Sequence, residues 1–152
     1  GFRSDLLLML DLMRDHGSEF GFGVANEAVR FMHFYRLFGG YGEDESEWFN
    51  DAMDAVIVQK LLPKLHGSRP RIEGLLWALA LACGGDRAGL DATAWLARCR
   101  DAGNARDELA LGPEVVERGL KGQKARYPLS FGKVMRMWRK VVRDQFVTFS
   151  EA

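Results

Sequence analysis

Apolar residues recur along this chain every three or four positions, the period of helices that each bury one face. Ser4 and Asp5 offer a cap and a first-turn acid, and Leu6, Leu7, Met9, Leu10 and Met13 then predict a helix ending near His16-Gly17. A second helix is expected after Gly21-Phe22-Gly23, with Val24, Ala28, Met32 and Tyr35 on one stripe, stopping at Gly39-Gly40. The third begins in an acidic run and carries two stripes: Phe49, Ala52, Met53 and Val56, then Val58, Leu61, Leu62 and Leu65. Successive residues turn by about 100°, so the two stripes fall on opposite sides. Either this helix is central, or its buried face changes at a break near Pro63, where a missing backbone donor bends the chain.

From Arg71 to Cys83 the pattern loses its polar side: Ile72, Leu75, Leu76, Leu79 and Cys83 form one stripe, and Trp77, Ala78, Leu81 and Ala82 fill the rest. A helix apolar all round is a buried helix. Gly84-Gly85 stops it, Asp91 caps a short helix with Trp95, Leu96 and Cys99, and residues 101–111 read as a polar connection. Gly112-Pro113 starts a further helix that Gly119 and Gly122 weaken. The last helix follows Pro128 with Ser130 as its cap; Phe131, Val134, Trp138 and Val141 make one face, and Arg136, Arg139, Lys140 and Arg143 another. Sustained period-two alternation is absent, and only Phe146-Val147-Thr148-Phe149 suggests a short extended end. The expected fold is all-α, an irregular bundle of six to seven helices in a single domain.

With 152 residues, 47% of them hydrophobic, the chain is large enough for a real core. Lys plus Arg and Asp plus Glu both number 21, so net charge gives no argument for a polyanionic partner. Charge is unevenly placed: Glu43, Asp44, Glu45, Glu47, Asp51 and Asp54 lack any base among them, whereas residues 121–143 are rich in Lys and Arg. That polarity reads either as two solvated faces or as ends that dock head to tail. Cys83 and Cys99 have no C-x-x-C spacing and fall on apolar faces, as buried thiols do in a reducing cytoplasm. With neither a leader pattern nor an apolar run of bilayer length, the expected location is cytoplasmic, with no membrane partner. The start without Met is expected of a boundary set in preparing the protein, or of a tag remnant.

Little in the chain reads as catalytic. Phe131-Gly132-Lys133-Val134 imitates a phosphate-binding loop, but Tyr127 stands where the first Gly belongs, Val134 replaces the hydroxyl, and the segment sits in a helix. His16, His33 and His66 have no second ligand at metal spacing, and His66 reads as a ring beside the last carbonyls of the helix before Gly67. No Ser, Cys or Thr has a base placed to activate it. Glu27 and Arg30, three apart, read as an exposed helix pair worth about 0.2–0.5 kcal/mol. No catalytic or metal-binding residue is therefore expected.

Three segments carry a resemblance. Gln59-Lys60-Leu61-Leu62-Pro63-Lys64-Leu65-His66-Gly67-Ser68 is the most specific; Phe20-Gly21-Phe22-Gly23-Val24-Ala25-Asn26-Glu27, with Arg30 and Phe31, is the second. Tyr127-Pro128-Leu129-Ser130, Lys133, Met137 and Phe146-Val147-Thr148-Phe149-Ser150 form the third. Together they resemble the C-terminal helical lid of McrB-like AAA+ NTPases, the motors of modification-dependent restriction systems. Residues 1–68 then correspond to lid-like helices, 69–124 to a helical insertion without counterpart in the family, and 125–152 to the terminal amphipathic helix.

The resemblance implies that this chain is the C-terminal fragment of a larger AAA+ protein, non-catalytic by itself and binding no cofactor alone. The parent would bind ATP or GTP with Mg on an N-terminal AAA+ core, assemble with neighbouring subunits into a ring, and act on DNA through a nuclease subunit. It implies that Gly23, Glu27 and Arg30 face the nucleotide. Gly23 departs from the family, which typically has an Arg there reaching the γ-phosphate; Arg30, about 10 Å further along the helix, is a poor substitute. Arg136, Arg139, Lys140 and Arg143 read as a solvated face, an interface with a neighbouring subunit, or a DNA contact. The competing reading is a free-standing helical adaptor that binds proteins through apolar surface. A nucleic-acid-binding domain using the terminal basic helix is a third, without a helix-turn-helix signature or stacking platform to support it.

Overall fold

A computed structural model describes residues 9–11, 13, 22–38, 45–84, 112–120 and 122–152, and among these the chain is mostly helical. Five α-helices are present there: α1 (Phe22–Phe38), α2 (Glu45–Val56), α3 (Arg69–Gly84), α4 (Gly112–Gly119) and α5 (Pro128–Asp144). Two three-residue strands, β1 (His66–Ser68) and β2 (Phe146–Thr148), complete them. Of the first expected helix, Met9, Leu10 and Met13 are helical and buried. The short helix expected after Asp91 and the connection over 101–111 lie outside the described residues.

The apolar-all-round segment is the centre, as its composition requires. In α3 every residue from Ile72 to Cys83 is buried except Trp77, which is half-buried. Its main partner is α5, whose Phe131, Val134, Met135, Trp138 and Val141 are buried. α1 lies on α2 through Ala28 and Met32, and α2 also meets α5.

The two stripes of the third expected helix are reconciled before Pro63 rather than at it. α2 passes into a π-helical turn, Ile57–Leu61, where the Leu62 N–H bonds the Ile57 carbonyl five residues back. A π turn holds an extra residue, which rotates the next residues of the chain relative to α-helical phase. Ala52, Met53 and Val56 of the first stripe and Leu61, Leu62 and Leu65 of the second are buried, while Phe49 and Val58 are half-buried. A 3-10 turn, Leu62–Lys64, takes up Pro63, and Leu65 switches to extended backbone at φ −85°, ψ 127°. His66 is therefore a strand residue opposite Thr148 and does not cap a helix.

β1 and β2 pair antiparallel with His66 opposite Thr148, Gly67 opposite Val147 and Ser68 opposite Phe146. The extended end expected at residues 146–149 thus has a partner about eighty residues away. Gly67 is buried at φ +150°, and a Cβ there would meet Arg71 Cδ at 3.8 Å and Ile72 Cβ at 3.9 Å. Space is adequate, so the requirement for glycine is the backbone angle. Gln145 at φ 66° ends α5: its N–H bonds the Val141 carbonyl, its side-chain amide donates to the Val142 carbonyl, and its own carbonyl accepts the Arg69 N–H. One residue thus closes α5 and ties it to the start of α3.

The start of α5 differs from expectation. Its N-cap is Tyr127, which supplies no side-chain cap, and Ser130 is three residues in. The cap comes from α2. The buried Asp54 carboxylate accepts the Leu129 N–H at 2.9 Å, the Ser130 N–H at 2.7 Å and the Ser130 hydroxyl at 2.6 Å. Pro128 has no N–H to satisfy, and the Phe131 N–H bonds the Tyr127 carbonyl at 2.8 Å. Every donor of the first turn is accounted for. Asp54 accordingly leaves the solvated acidic run to which its sequence neighbours assigned it.

Asp54→Ala should leave two backbone donors without their acceptor, while the Ser130 hydroxyl keeps the residue 54 carbonyl at 3.0 Å, lowering stability by about 1–3 kcal/mol in urea denaturation. An unchanged midpoint would remove Asp54 from the account of α5. Gly67→Ala should cost about 1–3 kcal/mol through its positive φ alone, and Gly67→Asn should be no better, because φ +150° lies outside the left-handed region that Asn tolerates.

Candidate functional site

Gly23, Glu27 and Arg30 all lie on α1, and helical geometry places them within about 60° of arc on one side. Glu27 and Arg30 are exposed. Among the described residues the ion pair of Glu27 is with Lys60: its carboxylate lies 4.0 Å from Lys60 Nζ, which the π turn brings over from the next element. In the sequence Lys60 stands out only as part of the Gln59–Ser68 run, since nothing in a linear pattern announces a contact between residues 27 and 60. The same side of α1 continues into exposed Phe34, Leu37 and Phe38, with the rings of Phe34 and Phe38 stacked at 6.0 Å between centroids.

Chemically this stripe offers one exposed guanidinium at Arg30 and an amine at Lys60 that already faces a carboxylate. Those groups suit the fringe of an anion held elsewhere. They do not by themselves make the several converging donors that a polyphosphate requires.

The second candidate is the basic face of α5. Arg136, Arg139 and Arg143 are exposed and Lys140 is half-buried. Three of the four are engaged. Arg139 pairs with Glu117 of α4, Lys140 lies 2.9 Å from Asp144, and Arg143 lies 3.0 Å from the same carboxylate. Hydrogen bonds from Arg143 and then Lys140 bring the Asp144 carboxyl down to about 2 from an ordinary 3.8. Among the described residues only Arg136 of the four lacks an acidic partner. The face is therefore less cationic than its sequence, and a polyanion would compete with internal acids for three of its bases.

Lys133, the lysine of the phosphate-loop imitation, points away from any such role. Its amine lies 4.3 Å from the Phe149 ring centroid and donates to the Ala152 carbonyl, and burial, followed by nearby Arg136, lowers its pKa. His33 lies edge-on to Phe34 on α1. Cys83 is buried in α3 and His66 is exposed in β1, while His16 and Cys99 lie outside the described residues. Among the described residues no group of three His, Cys, Asp or Glu is placed to hold a metal. None of their helices is long and apolar enough to cross a membrane.

Glu73, like Asp54, is a buried acid that the sequence pattern hid. Sitting on the apolar α3, it accepts Arg69 Nε at 2.8 Å and Trp138 Nε1 at 3.2 Å. It joins α3 to α5, with only 8% of its surface exposed.

The lowered Asp144 pKa gives a signed expectation. A carboxyl depressed in the folded state adds stability that is present above its unfolded value and lost as pH falls through the folded one. The stability gap between the native chain and Asp144→Asn should thus be constant near neutrality and close between about pH 4 and 2. Denaturant titrations across that range would show it, and a gap independent of pH would exclude the carboxylate as its source.

No curated protein and no solved structure matches this chain. A family model does, described as a domain of unknown function, DUF8727, and it covers residues 2–146. Since that match takes in nearly the whole chain, the protein belongs to the DUF8727 family.

Proposed function

We propose that this chain is the C-terminal lid and assembly region of an McrB-like AAA+ NTPase that works with a nuclease in DNA restriction. One observation supports this reading above the others. The segments carrying the resemblance, distant in sequence, pack as one unit: the His66–Ser68 end of the first pairs with β2, and Asp54 just before it caps the helix opened by Tyr127-Pro128.

In this proposal residues 1–68 and 125–152 form the lid, 69–124 are an insertion, and the full count of helices is six to seven. The nucleotide, ATP or GTP with Mg, sits on the N-terminal core of the same protein in the cytoplasm. Gly23, Glu27 and Arg30 line the side of α1 turned toward it, without a cation at position 23 to reach the γ-phosphate. The face of Arg136, Arg139, Lys140 and Arg143 meets a neighbouring subunit of the ring. By itself the chain hydrolyses nothing.

The first test is the native reading frame upstream of Gly1. A G-x-x-x-x-G-K-[ST] loop and a strand ending in paired acids within a few hundred residues are expected. A start codon close to Gly1 would overturn the lid reading. In the intact protein, replacing all four bases of the α5 face by Ala should abolish ring assembly in sedimentation while the monomer stays folded. Loss of DNA retention with assembly intact would assign the face to DNA instead.

A second reading, a free-standing helical adaptor, is favoured by exposed Phe34, Leu37 and Phe38, at 59%, 60% and 78% exposure. Large apolar side chains grouped on one helix face mark a surface that another body covers. Pull-down of a protein partner lost on Phe38→Ser, together with a start codon near Gly1, would select it.

A further inference from the structure

We draw no further inference here: the strongest candidate, the exposed apolar stripe of Phe34, Leu37 and Phe38 on the C-terminal half of α1, is an unpartnered helix face, and nothing in the structure shows what covers it.

Discussion

The Asp54 carboxylate, buried against the first turn of α5, is the interaction on which the arrangement of helices depends. A helix that begins inside a protein leaves backbone donors without water, and an unsatisfied donor there costs about 1–3 kcal/mol. Here α5 begins with Pro128, which removes one donor, and directs two more at a single acid from another helix. The carboxylate is equally dependent on α5, since a buried charge needs partners, and the positive end of a helix is a favourable one. Neither group is tolerable without the other. Their mutual requirement fixes α2 against α5 across seventy-five residues of chain.

Two further connections make the unit rigid in other directions. Glu73 links Arg69 and Trp138 in the α3–α5 interface, giving an apolar helix pair one polar point of register. At the far end, Gln145 terminates α5 and hands its carbonyl to Arg69, and β2 then runs alongside β1. α5 is thus held at its first turn, its middle and its last turn. The Gln59–Ser68 run gains meaning from this: the π turn it shares with α2 rotates the chain so that Leu61, Leu62 and Leu65 are buried like Ala52, Met53 and Val56 before them, and its Gly67 allows the strand that β2 needs.

The outer surfaces are chemically quieter than the sequence suggests. Exposed ion pairs contribute little to stability, about 0–1 kcal/mol, yet they decide how much charge a partner encounters. Glu117 and Asp144 occupy three of the four bases on α5, leaving a face of mixed sign better matched to another protein surface than to a phosphate backbone. On α1 the reverse holds, because the apolar surface extends beyond what α2 covers.

Much of this was legible in the chain. Helical periodicity located α1, α3 and α5, the loss of any polar side marked α3 as the core, and the two opposed stripes at 49–65 left open a central helix or a change of buried face near Pro63, between which the π turn at Ile57–Leu61 decides. Those features are local, since amphipathic spacing and glycine or proline stops are properties of consecutive residues. Tertiary structure decided what depends on pairs far apart: that Asp54 caps α5 while Ser130 does not, that Lys60 faces Glu27, that Glu73 belongs inside, and that His66 is in a strand. The physical reason is that a carboxylate reads as solvent-seeking until three-dimensional packing supplies its donors. Sequence determined which faces must be buried, and packing alone determined which polar groups could be buried with them.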